Sequence, residues 1–452
     1  MADLYNQLDK SSPIVIVGAG TFGLSTALEL LRGGFVDVTL VDPYPPPSPL
    51  SAGNDINKIF QYNVDSLFYS QLAWESYDLW KTDPVYKDSF YESGIIYAAS
   101  TSEKKIDLDN RMKLLQSRGI EFRKLYNHQD FSNLIALETP ENGITNELGS
   151  RFKNWYGYFQ SSNCGWVNAR HTLETAFHEI IKLGGKFICQ EAKSLIVDNG
   201  IVTGITTSLE SIYGDRVVLC AGAQSYKFLD FKNQLLAKCF TLAHIKVNSE
   251  EAAKLKSMPV ILNLNEGFLF EPDENGIIKV CNEFPGYINF SQSNNTPNAD
   301  NGINDSINNS IPLYVNNIPY EAEVQIRDFL KQVFPAIATR KFESCKLCWC
   351  TDTPDRHFLI TTHPQLSNLI LGTGDSGQGF KYMPIIGKYI TSYIIGSSNS
   401  LVPPEIRNCW KWRPDQGQNR DIYCLQNRSG GSDKVRNLCE IKQWSHEKEQ
   451  II

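Results

Sequence analysis

Three glycines at fixed spacing, in Gly18-Ala19-Gly20-Thr21-Phe22-Gly23, are the residues of this chain whose type and order imply chemistry most directly. The first permits a tight turn, the second lets the backbone approach a pyrophosphate, and the third allows a helix to pack closely on a strand. Asp42 follows where a carboxylate would accept hydrogen bonds from the hydroxyls of an adenosine ribose. An acid there, and no arginine, favours FAD or NAD over NADP. Cys345, Cys348 and Cys350 cluster as C-x-x-C-x-C, but no second cysteine or histidine pair stands at zinc spacing, so no metal is expected. On composition alone these are buried apolar thiols. Lys279, in the alternating run Ile277-Ile278-Lys279-Val280, reads as a lysine on an edge strand, and Glu283 as a turn carboxylate.

The glycines must be held by particular elements. Ile14-Val15-Ile16-Val17 is a β-branched run suited to a strand buried on both faces, and LSTALELLRGG after Gly23 has helical periodicity with a glycine stop. Val38-Thr39-Leu40-Val41 is a second buried strand that ends at Asp42. Strand, glycine turn, helix, strand and acid together make the complete dinucleotide frame. Around it, 452 residues amount to about three domains' worth, a soft bound. Apolar residues at 42% exclude a largely disordered chain, and a net charge of −7 disfavours nucleic acid as a partner. No apolar run reaches the ~18–20 residues that a membrane span needs. The polar start MADLYNQLDKSSP has no secretory h-region, the end is not an SKL-type tripeptide, and the 11 cysteines read as reduced thiols, so a cytoplasmic location is expected.

The glycine motif alone does not choose between FAD and NAD. After Asp42 the chain interrupts itself with a proline-rich loop and then Ser51-Ala52-Gly53-Asn54-Asp55-Ile56-Asn57-Lys58-Ile59, where NAD domains usually continue with another βα unit. Two further segments read as strands running into small-residue turns: Asp215 to Ser225, which includes Ala221-Gly222, and Leu369 to Lys381, which includes Gly374-Asp375-Ser376-Gly377. These three segments resemble the FAD-contacting pieces of the sarcosine oxidase-like amine oxidases, and within them the fructosyl amino acid oxidases, or amadoriases. SAGNDINKI, HIKV, FLFEPDENGIIKVCNEFPG, IPYEAEVQIR, LCWCTDTPDRHFLI, TGDSGQGFKYMPIIGKYI and WKWRP carry the likeness, which runs from residue 14 to about 414.

The resemblance implies a covalent bond from Cys348 to the flavin 8α-methyl, with Cys345 and Cys350 as bystanders. It places the Lys279 ammonium over the flavin, where positive charge would stabilise superoxide as O2 is reduced, and Lys58 beside the ring. Glu283 would recognise the sugar or amine portion of the substrate. Lys381 would meet its carboxylate or nearby polar groups, joined by Arg413. FAD would rest on Gly18, Gly20, Thr21, Phe22, Gly23, Asp42, Ser51, Ala221, Gly222, Gly374, Asp375, Gly377 and Lys381, with the glycines of 374–377 offering backbone N–H groups to the pyrimidine end. Two positions depart from the pattern: Gln378 stands where relatives carry histidine, and Gln61 where sarcosine-type members carry an arginine. The second argues against sarcosine as substrate.

The implied fold class is α/β, with a Rossmann-like FAD-binding domain interleaved with an α+β substrate domain, as in the glycine/D-amino acid oxidases. Residues 1–65, 160–245 and 340–400 would form the first and 66–159 and 246–339 the second, with 401–452 a C-terminal extension whose tail, 415–452, reads as irregular chain. The Asn/Ser-rich stretch 291–312 reads as a loop. The expected activity is oxidation of a fructosyl amino acid by a monomer, with O2 becoming H2O2. The alternatives are a saccharopine or pipecolate oxidase, an NAD dehydrogenase disfavoured by the missing nicotinamide half, and a silent flavin-binding scaffold.

Overall fold

The computed structural model describes residues 8–62, 66–135, 151–290, 309–397, 401–418, 420–422 and 434–445. Of the Asn/Ser-rich stretch 291–312, only 309–312 fall within them. Six strands form one sheet, in the order Leu359–Thr362, Leu369–Thr373, Arg216–Leu219, Ile14–Val17, Val38–Asp42, Lys186–Cys189. All pairings are parallel except that of Leu359–Thr362 with Leu369–Thr373. Ile14–Val17 is buried throughout because helices and loops cover both faces, which is why its residues do not alternate in polarity.

Helix Thr21–Arg32 begins at Gly20, which supplies no capping side chain, and its first turn carries no acid. Its leading N–H groups are therefore oriented to meet a phosphate. The helix packs against Ala169–Lys182 and Met383–Ile394. The second contact is close: Gly387 N donates to Ser25 Oγ at 2.8 Å, and a Cβ on Gly387 would lie 2.1 Å from the Ser25 carbonyl oxygen.

The second sheet has ten strands. Its main path runs Arg436–Asn437, Tyr287–Ile288, Leu236–Lys246, Ile277–Asn282, Gly267–Leu269, Val260–Asn263, Ile95–Ala99, Tyr156–Gln160, Arg123–Leu125. Ser344–Asp352 pairs with Leu236–Lys246 over nine residue pairs from Leu236–Asp352 to His244–Ser344. Helices Ser102–Ser117 and Tyr320–Val333 pack on this sheet. The FAD-domain ranges read from the sequence thus contain two strands, Leu236–Lys246 and Ser344–Asp352, that hydrogen-bond in the other sheet. Lys279 is central and not at an edge, because Ile277–Asn282 lies between two partners. In the C-terminal extension Pro404–Trp410 is a helix with Trp410 fully buried, and the tail after 415 is not wholly irregular, since Arg436–Asn437 adds to the large sheet. A small sheet of Lys58–Phe60, Gly165–Val167 and Phe90–Tyr91 holds the chain that follows the SAGND segment. Among the described residues, no helix is long and apolar enough to cross a membrane.

The helix contact at Gly387 tests this packing. Gly387→Ala should destabilise the protein by about 1–3 kcal/mol, the usual cost of overpacking a filled core, measured as a lower denaturant midpoint at unchanged slope. An unchanged midpoint would mean the two helices lie farther apart.

Candidate active site

A cavity of about 730 Å3 is lined from both large sheets, joining Gly18, Gly20 and Asp42 to Lys279, Cys348 and Lys381. This lies within the ~300–1,000 Å3 usual for cofactor and ligand pockets. The glycine turn requires glycine. Gly18 has φ +100°, and a Cβ there would sit 2.4 Å from the Cys220 carbonyl oxygen. A Cβ on Gly23 would sit 1.8 Å from the Gly18 oxygen, the close helix–strand contact expected of the third glycine. Gly20 would meet only the Ser51 side chain, so its backbone stays open to the cavity. Thr21, Phe22, Ser51, Ala221 and Gly222 also line it.

Asp42 is anchored by the turn it serves. Its Oδ2 accepts from Ala19 N at 3.0 Å and its Oδ1 from Tyr44 N at 3.1 Å. Burial raises its pKa, and these N–H donors work against the rise. Each carboxylate oxygen has more than one acceptor site, so the group retains acceptor capacity for ribose hydroxyls. This cradle, with its backbone N–H groups at a helix start and a carboxylate at the end of the neighbouring strand, fits the adenosine diphosphate half of FAD.

The turn after Leu369–Thr373 is shaped by its own acid. Asp375 accepts from Thr351 N and Thr351 Oγ1, both at 3.0 Å, and from Gly377 N at 3.1 Å, and burial raises its pKa. Its carboxylate therefore holds the turn, while Gly377 lines the cavity with space where a side chain would stand. Gly374, at φ +74°, lies outside the lining and serves the bend. Gln378, another lining residue, donates to the Arg356 carbonyl oxygen at 3.0 Å.

Opposite, Ser344–Asp352 presents Cys348 and Cys350 to the cavity, while Cys345 packs into the core behind the large sheet. Lys58 Nζ lies 3.6 Å from Cys348 Sγ and 2.8 Å from Asp55 Oδ2. Lys279 Nζ reaches the same Asp55 oxygen at 2.6 Å and the Asn57 carbonyl oxygen at 2.8 Å. Burial works to raise the Asp55 pKa, but Lys279 and then Lys58 outweigh it and hold the carboxyl well below the usual carboxylate range. Glu283 and Lys381 line the same cavity. Burial, then the charges of Arg111 and Arg356, push Lys381 down to about 7.

One expected substrate residue lies elsewhere. Arg413 is not in the lining: its Nε and one terminal nitrogen donate to the two Asp355 oxygens at 3.0 and 2.8 Å, and its other donors reach the Phe358 and His357 carbonyl oxygens. The buried Trp410 helix delivers it to this turn, where it acts as a structural clamp. Two lining residues escaped the sequence reading. Asp55 stood unremarked inside SAGNDINKI, three residues before Lys58. Arg111 shares the inward stripe of helix Ser102–Ser117 with buried Leu108, Met112 and Leu115, and a charge on an apolar stripe was the available signal. Its guanidinium donates to Tyr158 Oη at 2.7 Å, Tyr97 Oη at 3.2 Å and Gln61 Oε1 at 3.4 Å. A cation therefore stands beside Gln61, contributed by another element.

Fold and cradle together define a dinucleotide-dependent oxidoreductase of the α/β class. The FAD dependent oxidoreductase family profile matches residues 13–393, and the chain belongs to that family. It is 31% identical over 439 residues to L-saccharopine oxidase of Schizosaccharomyces pombe, covering 90% of this chain and 94% of that one. Its structure is similar to the crystal structure of the deglycating fructosamine oxidase Amadoriase II of Aspergillus fumigatus, with TM-score 0.84, 38% identity, and 97% and 98% of the two chains covered. It is likewise similar to the fructosyl amine:oxygen oxidoreductase Amadoriase I of the same organism, with TM-score 0.86, 34% identity, and the same coverage. The expected fold class and FAD enzyme class are those observed.

The Asp42 carboxylate should govern cofactor uptake. A charge-assisted hydrogen bond contributes about 1.5–3 kcal/mol, so Asp42→Ala should lower flavin loading at limiting FAD by roughly tenfold or more. Equal loading of variant and wild type, followed by flavin absorbance, would make the acid structural only.

Proposed function

We propose that the enzyme oxidises fructosyl amino acids, releasing glucosone, the free amino acid and H2O2, with FAD bound covalently through Cys348. The observation that carries this reading is one cavity holding a flavin-side group of Lys58, Lys279 and Cys348 together with a substrate-side group of Glu283, Lys381 and Arg111. The full-length likeness to fructosamine oxidase supports it.

When bound, FAD would supply the two-electron chemistry that links oxidation of the carbon beside the amine nitrogen to reduction of O2. The chain's residues position and polarise. Cys348 fixes the cofactor, its sulfur beside the Lys58 ammonium. Lys279 places positive charge where negative charge develops on oxygen, and such preorganised charge is usually a large catalytic term. Lys381 and Arg111 receive the substrate carboxylate, and Glu283 recognises the sugar hydroxyls or the amine. Water hydrolyses the resulting imine.

A second reading, saccharopine oxidation, is favoured by the 31% identical relative and by the pair of cations, which would suit a substrate bearing several carboxylates. Both readings share a secondary amine and an anionic group.

Peroxide release by the native enzyme from fructosyl-valine and from saccharopine, with a parallel sample precipitated in acid, tests the proposal. The acid pellet should stay yellow, and fructosyl-valine should release peroxide faster than saccharopine. The reverse preference would establish the second reading, and colourless pellets would exclude the Cys348 bond. The Lys381 pKa of about 7 adds a signed expectation. The free enzyme carries the ammonium below that pH and loses it above, so KM for a carboxylate substrate should rise from pH 7 to 9. A KM flat over that range would place the carboxylate away from Lys381.

A further inference from the structure

Asp55 carries one carboxylate toward which basic groups converge from five segments. Lys58 follows it in the chain, Lys279 comes from Ile277–Asn282, and both ammoniums contact the same Oδ2. His244, from Leu236–Lys246, stands opposite Lys279 across the strand pair and bonds Ser344 Oγ through Nδ1 at 2.8 Å. Lys346 donates to the Asn54 carbonyl oxygen at 2.7 Å, and Arg170 donates through Nε to Asn54 Oδ1 at 3.2 Å. The Cys348 thiol also faces Lys58. Burial pushes His244 down to about 4, so its ring is neutral at neutral pH and adds no charge. Asp55 and Lys279 side chains are only 2% and 3% exposed and Lys58 is 21% exposed, so water screens the shared oxygen only weakly.

We propose that Asp55 is the positioning residue of the oxygen half-reaction: its carboxylate keeps Lys58 and Lys279 charged and side by side toward the flavin site. The proposal rests on the oxygen role given to Lys279 above. Two ammoniums meeting at one buried oxygen repel once that oxygen loses its charge, and one of them then gives up its proton or swings away.

The test uses full-length, flavin-loaded Asp55→Asn, Asp55→Glu, Lys58→Met and the double variant Asp55→Asn/Lys58→Met, with two readouts. The first is melting temperature from pH 6 to 9. In Asp55→Asn a lysine has a folded pKa below its unfolded ~10.4, so stability rises with pH between those values and the gap to wild type narrows toward pH 9. Adding Lys58→Met should raise the melting temperature of Asp55→Asn at pH 6, whereas the same substitution in wild type should not. The second readout is reoxidation by O2 of dithionite-reduced enzyme. Asp55→Asn should lose rate by roughly tenfold per pH unit once the lysine deprotonates, while Asp55→Glu stays near wild type. A pH-independent melting gap, additive effects of the two substitutions, or wild-type reoxidation by Asp55→Asn would overturn the proposal. If Asp55→Asn does not fold, the double variant decides: a folded holoenzyme supports the proposal and an unfolded one contradicts it. Neither readout uses the amine substrate, so failure of the substrate assignment leaves both intact. A Lys279→Met enzyme with normal reoxidation would remove the oxygen role without altering the melting gap.

Discussion

The shared carboxylate of Asp55 is the constraint around which the site is assembled. It ties the SAGND segment, which follows the proline-rich loop, to the centre of the ten-stranded sheet through Lys279, and to the small sheet through Lys58. Lys346 and Arg170 pin Asn54 from a third and a fourth element, and Arg170 N donates to the Asp55 carbonyl oxygen at 2.9 Å. A buried ion pair adds little net stability over an apolar core, but losing one partner strands the other charge at a cost of about 3–5 kcal/mol. The arrangement therefore holds its geometry strongly while resisting partial dismantling.

The cavity divides its electrostatics according to the ligand it fits. Asp42 stands with the glycine turn, where a helix start provides positive potential for phosphates and a carboxylate meets neutral hydroxyls. Toward Cys348 the lining is cationic, through Lys58 and Lys279 on one part and Arg111 and Lys381 on another. The first pair shares the single negative charge of Asp55 and so keeps a net positive charge. Burial and neighbouring arginines lower the Lys381 pKa, which suits a group that meets an arriving anion.

What the sequence made legible was what local order encodes. Strand, glycine turn, helix and acid lie within residues 14–42, and all are found in place. Lys279 was recognisable by its motif and its strand by alternation, but its central position was not, because a strand's neighbours are set by pairings with residues far along the chain. The same limit misplaced Leu236–Lys246 and Ser344–Asp352, which sit in the sheet opposite the one their sequence neighbours suggest. Arg413 was misjudged because WKWRP says nothing about Asp355, and it is that carboxylate which captures the guanidinium. Asp55 and Arg111 were missed for the converse reason: their importance comes from partners contributed by other elements, Lys279 in one case and Gln61, Tyr97 and Tyr158 in the other.

In the proposed reaction a buried, carboxylate-held ammonium serves the oxygen step and leaves the amine step to other residues. Separating the two half-reactions of Lys279→Met by stopped flow tests it most directly. The substitution keeps the apolar stem and removes the charge. Anaerobic bleaching of the flavin by substrate should stay close to wild type, while reoxidation by O2 should slow by about 10²–10³, the usual loss on removing one preorganised charge. Bleaching that slows as much as reoxidation would contradict the account and make Lys279 a substrate-binding or structural residue.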